Sequence, residues 1–356
     1  MRRIRILAGD LIGFNKQLIQ GFDMYRRDLA RRLGIRAEVE TYDSLSQLEE
    51  RVAAPGGDML MLMPRFSEAA DDLCDVLSRA RGAAPERRLV FLDSHDQTST
   101  PHFPVLPLVD RYVKSKMLRN VEDYQTDYGG GYVFSDWYAR QYDFDLEDWH
   151  FGSIPDPAFV DRLVSGWNFA VMPRLRWIAR ADGLVPRRLA SRPYEINLRF
   201  ALPARDVDRE WYQDYRLRCR EATDPLKSRF RATREDRVNQ LRFLYQLRQS
   251  RAVFSPFGWG EVCWRDYEAV ACGALLIKPS MEHLVTTPDV FVAGETYVAT
   301  QWDNSDLAEK VEYYLSNLDE AQEIANNASR ALRDYFERGG FVDDVRRTLL
   351  PVFETP

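Results

Sequence analysis

The chain is poor in the residues that build metal and redox sites: four histidines and four cysteines in 356 residues. Cys74, Cys219, Cys263 and Cys272 form no CxxC pair and have no metal-ligand spacing with the histidines, so a zinc or dithiol motif is excluded. They read as buried thiols of a reducing compartment. No apolar run approaches the ~18 residues that span a bilayer. The apolar stretch behind Arg2 and Arg3 is too short for a signal peptide. A cytoplasmic protein with no transmembrane segment is expected, with peripheral membrane contact left open. A dominant charge is missing too. The 49 Lys+Arg against 55 Asp+Glu argue against broad nucleic-acid binding and leave room for a local anion pocket. What is present is ordinary for a soluble globular protein, 45 % hydrophobic and 29 % charged. At about 150 residues per domain the length implies two.

Along the first half, strand-like and helix-like patterns alternate. Residues 5–8, 37–42, 59–63 and 89–92 are strand candidates. Residues 17–33, 46–53 and 67–81 carry apolar residues at helical spacing, the first stopped by Gly34. Repeated β-α-β units imply an α/β fold with a parallel sheet covered on both faces. After Tyr112 and Val113 the pattern weakens. Residues 128–149, rich in Gly, Tyr and Asp, are expected to be an irregular surface excursion of a kind that often meets sugars. Residues 159–178 are predicted as one helix, and Gly183, Pro186 and Pro193 mark a linker over 181–193. The second half restarts with a strand at 194–202. Helices at 209–221 and 234–248 follow, with a short strand at 228–232 between them. A strand at 296–299 and helices at 306–315, 318–337 and 342–349 complete the chain. The expected division is 1–185, 186–340 and a terminal helix, 341–356, returning to the first domain.

The richest stretch is 250–280, SRAVFSPFGWGEVCWRDYEAVACGALLIKPS. An apolar run ends at Ser255-Pro256, a polar loop carries Glu261, and a helix-like segment holds Arg265, Asp266 and Glu268. Gly273 ends that segment before a second apolar run that reaches Lys278. This is a βαβ unit, and ligands bind at the loop after its first strand. Glu268 opens the run Glu-Ala-Val-Ala-Cys-Gly. This pattern resembles the donor-binding core of GT-B glycosyltransferases, and the variant GWGEVCWRDYEA is similar to a bacterial polysaccharide group with an exostosin-like C-terminal domain.

The resemblance implies two Rossmann-like domains with the active-site cleft between them. It also implies transfer of a sugar from a nucleotide diphosphate sugar to a glycan, lipid-linked or small acceptor. A GT-B epimerase or hydrolase, or a non-catalytic nucleotide- or glycan-binding member of the superfamily, are the alternatives. Glu268 would then accept hydrogen bonds from both ribose hydroxyls, since an ionised carboxylate offers two acceptor oxygens; a helix cap is the simpler role. Arg265, three residues earlier, suits a diphosphate clamp at a helix N-terminus or an exposed salt bridge. Glu261 stands seven positions before Glu268, where retaining members place a pair eight apart. Lys278, Arg199 and His283 are further donor-site candidates, and Gly13 closes a glycine-containing turn (residues 9–13) after the first strand. In the first domain, Asp93, His95 and Asp96 follow a strand. They are the catalytic candidates, with the imidazole held between carboxylates as a proton carrier; a polar turn is the alternative. Asp143-Phe144-Asp145 spells DxD in an acidic stretch and reads as surface. GT-B chemistry neutralises the leaving diphosphate with basic residues and a helix dipole, so no metal or other cofactor is expected.

Overall fold

The computed structural model describes residues 1–9, 13–168, 171–184, 188–202, 210–234 and 238–354. The first half contains strands β1 (Arg2–Ala8), β2 (Ile35–Thr41), β3 (Met59–Met63), β4 (Arg88–Asp93), β5 (Arg111–Lys114), β6 (Lys116–Leu118) and β7 (Leu163–Ser165). Its helices are α1 (Gly13–Met24), α2 (Arg26–Leu33), α3 (Leu45–Ala53), α4 (Ala70–Ala83) and α5 (Val133–Tyr142). Six strands form a parallel sheet in the order β2-β1-β3-β4-β5-β7. β3 shows why: all five residues of MLMLM are buried, as a strand covered on both faces requires. Met59, Met61 and Met63 join one core with Leu18, Phe22 and Leu29, while Leu60 and Leu62 join the opposite core with Leu48, Leu73 and Leu77. Helices α1 and α2 therefore cover one face, and α3 and α4 the other.

The second half contains α6 (Pro173–Leu184), β8 (Tyr194–Asn197), α7 (Glu210–Arg229), α8 (Gln240–Arg248), β9 (Ser250–Phe254), α9 (Trp264–Ala271) and β10 (Leu275–Pro279). Then come β11 (Leu284–Thr286), β12 (Val298–Thr300), α10 (Leu307–Ser316), α11 (Leu318–Arg338) and α12 (Gly340–Glu354). A second parallel sheet has the order β12-β10-β9-β8. Strand pairing and helix packing both tie the halves together. β6 pairs antiparallel with β11, Leu118 opposite Leu284. α12 packs Phe341, Val345 and Leu349 into the core of the first sheet, where the Phe341 ring meets Phe22 edge-on at 5.2 Å. Among the described residues no helix is long and apolar enough to cross a membrane.

Four local expectations are corrected. Residues 159–178 are not one helix: a 3-10 turn, Pro157–Arg162, precedes β7, whose buried Leu163 pairs with β5, and α6 starts only at Pro173. The excursion 128–149 contains α5, because Phe134 and Tyr138 are anchored in the core of the second half. The strand expected at 194–202 ends at Asn197. No strand forms at 228–232; α7 runs on to Arg229, and a single bridge joins Ala232 to Ile196. Within the expected linker, α6 continues to Leu184, a 3-10 turn spans Leu189–Ser191, and 185–187 lie outside the described residues.

Candidate functional site

The loop after β9 is held by buried charge. Cys263 is the N-cap of α9, and Asp266, at the third helical position, closes a capping box by accepting from the Cys263 backbone N–H at 2.8 Å. Ser255 Oγ donates to the same carboxylate at 2.6 Å. Lys278 Nζ lies 3.1 Å from Asp266 Oδ2 and donates to the Glu261 carbonyl at 2.6 Å. Lys278 and Asp266 side chains are wholly buried, where an ammonium persists only if paired. Lys278 thus fastens the loop from beneath.

With Asp266 doing the capping, Glu268 is released from that role. It is 3 % exposed, and its Oε1 accepts from Arg174 Nη2 of α6 at 2.6 Å and from Gln240 Nε2 of α8 at 2.9 Å. Burial raises its pKa, against the pull of Arg174, Arg265 and Gln240. Glu268 and Arg265 line a cavity of ≈ 350 Å³ with Trp259, Trp264 and, from α8, Phe243. Arg265 donates from Nη1 to Ser255 Oγ at 3.2 Å, and its Nε is buried with no partner among the described residues.

The first half contributes Asp96 to this cavity. Asp96 follows β4, at the C-terminal edge of the sheet, where parallel sheets open onto ligands. Its Oδ1 accepts from the buried Lys116 Nζ at 2.9 Å. His95 is not in the lining of that cavity. Its ring packs edge-on against Phe66, His102 and Phe151, and its Nδ1 lies 3.0 Å from Asp93 Oδ1 and 3.3 Å from Thr100 Oγ1. Asp93 is fully buried and also accepts from Tyr112 Oη at 3.0 Å and Lys114 Nζ at 2.9 Å. Burial opposes its ionisation, but Lys114 and His95 outweigh that and hold its carboxyl below the usual range. An ionised Asp93 fixes the tautomer with the proton on Nδ1 and leaves Nε2 as the basic nitrogen. The neighbouring His102 is kept neutral, its pKa pushed down to about 4, with burial the largest cause.

Glu261 joins the halves. Thr98 Oγ1 donates to its Oε1 at 3.2 Å, His283 Nε2 stands 3.4 Å from the same oxygen, and Oε2 is buried without a partner among the described residues. Burial opposes its charge, yet His283 brings its pKa below the ordinary value. His283 faces a different cavity, with Trp302. Arg199 lies buried just beyond β8, its backbone N–H bonded to Asn197 Oδ1 at 3.0 Å, and is not in the lining of the Glu268 cavity. Gly13 begins α1, while 10–12 of its turn lie outside the described residues. Asp143 ends α5 in the left-handed region at φ 48, and Asp145 accepts from the Glu147 backbone at 2.8 Å. Both serve local turns. Among the described residues, no three His, Cys, Asp or Glu gather as metal ligands.

The structure thus brings Glu268, Arg265 and Asp96 together, leaves Asp93 and His95 next to Asp96 in the chain but outside the lining, and sets Lys278 underneath. The partners Arg174, Gln240, Lys114, Lys116 and Thr98 are not evident in local sequence. Arg174 meets Glu268 across 94 positions, and no spacing rule reaches that far.

Residues 187–338 match the family described as "Glycosyl transferase-like". Sequence comparison with curated proteins returns no match. Among solved structures, the protein described as trehalose-6-phosphate from E. coli, bound with UDP-2-fluoro glucose, superposes with a TM-score of 0.54 at 10% identity, covering 99% of each chain. A glycosyltransferase from Rickettsia africae gives 0.52 at 12% identity over 100% of this chain and 99% of the other. An α,α-trehalose-phosphate synthase (UDP-forming) from Burkholderia vietnamiensis gives 0.50 at 11%, over 99% and 100%. With its two parallel sheets and a cavity that draws residues from both halves, the chain has the GT-B fold of glycosyltransferases.

Proposed function

We propose that the protein is a nucleotide-sugar-dependent glycosyltransferase that carries a sugar from a nucleotide diphosphate donor to a glycan, lipid-linked or small acceptor. The observation that carries this reading is the cavity shared by Glu268, Arg265 and Asp96. Residues 186–340, with α5 and α6 packed into the same core, form the donor domain and the rest of 1–185 the acceptor domain, with α12 as the returning helix. The match to a glycosyl transferase-like family over 187–338 supports the donor assignment.

In this mechanism Glu268, with Oε1 held by Arg174 and Gln240, accepts the ribose hydroxyls. Arg265 and the N-terminal amides of α9 neutralise the diphosphate as the bond to the sugar breaks. Electrostatic stabilisation of that leaving group replaces a metal ion. Asp96 meets the transferring sugar from the other side, and His95, oriented by Asp93, takes the acceptor proton. Glu261 and His283 form the wall behind the sugar. The resemblance of GWGEVCWRDYEA to a bacterial polysaccharide-type enzyme with an exostosin-like donor domain, working in the cytoplasm, is part of the same proposal.

Incubation with a panel of nucleotide sugars tests it. Slow donor hydrolysis, accelerated by an acceptor glycan, is the expected result. Release of a free epimer would make the protein an epimerase, and binding without turnover would make it a nucleotide-binding relative.

A further inference from the structure

A second cavity, ≈ 620 Å³, opens at the C-terminal ends of β10 and β12. It is built from four segments, one of them α10 through Lys310. Glu282 and His283 follow β10, Gln301, Trp302 and Asp303 follow β12, and Trp137 and Gln141 lie one turn apart on α5. Its walls are two half-buried indoles. Trp137 and Trp302 meet edge-to-face, 5.3 Å between centroids at 82°. Each is fixed from behind: Trp302 Nε1 donates to the Ser280 carbonyl at 2.8 Å, and Trp137 stacks on Phe134 at 11°. The His283 ring stands 4.8 Å from Trp302.

The polar groups around these rings define the ligand. Gln141 and Gln301 are exposed amides that both donate and accept. Glu282 and Asp303 are acceptors. Lys310, the ammonium in the lining, is turned to the Ala299 carbonyl at 2.6 Å and lies 3.4 Å from Asp306. With the Lys310 charge offset by Asp306, the two carboxylates of the lining disfavour a phosphate or a uronate. Edge-to-face rings offer one face and one edge, unlike the converging faces of a cage for a quaternary ammonium. A pyranose fits both features, with C–H groups for an indole face and hydroxyls that donate to carboxylates and pair with amides.

We infer that this cavity is a binding site for an uncharged sugar, and that the sugar belongs to the acceptor glycan. The second half of that statement rests on the glycosyltransferase reading; the first does not. Glu261 links the two cavities. Gly260 and Val262, on either side of Glu261, line the nucleotide cavity. His283, 3.4 Å from Glu261 Oε1, lines this one. A glycan held by Trp137 and Trp302 is thereby anchored next to the transferring sugar.

The test is titration of the full chain with methyl glucoside, methyl galactoside, methyl mannoside, N-acetylglucosamine, maltose, cellobiose and lactose, read by intrinsic tryptophan fluorescence and calorimetry. At least one probe should bind saturably. Trp137→Ala and Gln141→Ala should each weaken that binding tenfold or more, while affinity for UDP or GDP changes less than twofold. Gln141 is exposed, so its variant keeps the test valid if Trp137→Ala melts early. Failure of every probe to saturate, or binding unchanged in both variants, overturns the site. Sugar binding lost in the variants, with no nucleotide sugar ever turned over, leaves the site standing and removes the acceptor role. Turnover without sugar binding does the reverse.

Discussion

Gly260 lies so close against Asp96 that a β-carbon at Gly260 would collide with the Asp96 carbonyl oxygen. The contact joins the loop that leads into α9 to the loop that follows β4, so the cavity shared by Glu268, Arg265 and Asp96 depends on the two halves touching here. Gly260→Ala should drive them apart and lower turnover at least tenfold, since misplacement of about 1 Å costs on the order of 10²-fold. Gly258 has its nearest neighbour, the Gly260 carbonyl, at 3.5 Å, so Gly258→Ala should leave turnover within a few-fold. Equal loss in both variants would show that the loop, not its contact with Asp96, is what matters.

Glu268→Gln keeps the size of the side chain and removes its charge. Nucleotide affinity should fall by about 1–3 kcal/mol through loss of charge-assisted hydrogen bonds, measured by calorimetry with UDP and GDP. The melting temperature should change little, because Asp266 and not Glu268 caps α9. An unchanged dissociation constant would remove Glu268 from the donor site.

The same carboxylate gives a pH signature. Burial raises the Glu268 pKa while Arg174 holds it down. Ribose binding needs the ionised form, so nucleotide affinity should decline on acidification, starting at a higher pH than an ordinary glutamate would impose. Arg174→Ala removes the largest opposing charge, lifts the pKa further and moves that decline to still higher pH. A midpoint that stays put in Arg174→Ala would mean another group controls the profile.

Turnover should survive EDTA. On the proposed mechanism Arg265 and the N-terminal amides of α9 meet the diphosphate, while Lys278 is spent on Asp266. Arg265→Ala should therefore cost more than chelation does, by roughly 10²–10³-fold for a lost stabiliser of developing charge. Loss of activity in EDTA, restored by Mg²⁺ or Mn²⁺, would overturn this.

Much of this architecture is written in local pattern. MLMLM at 59–63 and the run at 275–277 are strands because nothing but a doubly covered parallel sheet accommodates them. The motif of α9 puts Arg265 and Glu268 on one cavity because three residues make nearly one turn. What local pattern does not contain is pairing at a distance. Lys278 reads as an anion ligand until Asp266 is seen 3.1 Å away, and Asp96 acquires its meaning from Lys116 on a different strand. The helix α5 was hidden for a related reason. Phe134, Trp137, Tyr138 and Tyr142 stand at helical spacing, but the core they pack into belongs to the second half, and the Gly-, Tyr- and Asp-rich composition of 128–149 does not show that partner.

The last prediction separates chemistry from scaffolding around Asp93. That carboxylate is held by Lys114 and Tyr112 on one side and His95 on the other. Because its folded pKa is depressed, the stability it contributes is present above the ordinary aspartate pKa and is lost only as pH falls below it, so assays near neutrality do not disturb it. Lys114→Met leaves a wholly buried anion without its main partner and should destabilise the fold by about 3–5 kcal/mol. His95→Ala removes one hydrogen-bond partner of Asp93 and leaves Lys114 in place, so the thermal midpoint should shift far less. If His95 carries the acceptor proton, turnover in His95→Ala should fall by roughly 10²–10⁴-fold, with nucleotide affinity unchanged because Glu268 and Arg265 lie on the other half. His95→Gln, which can donate to Asp93 but not shuttle a proton, should restore stability and not turnover. Full turnover in either variant would return Asp93, Lys114 and His95 to a purely structural network and leave Asp96 as the first-half residue at the sugar.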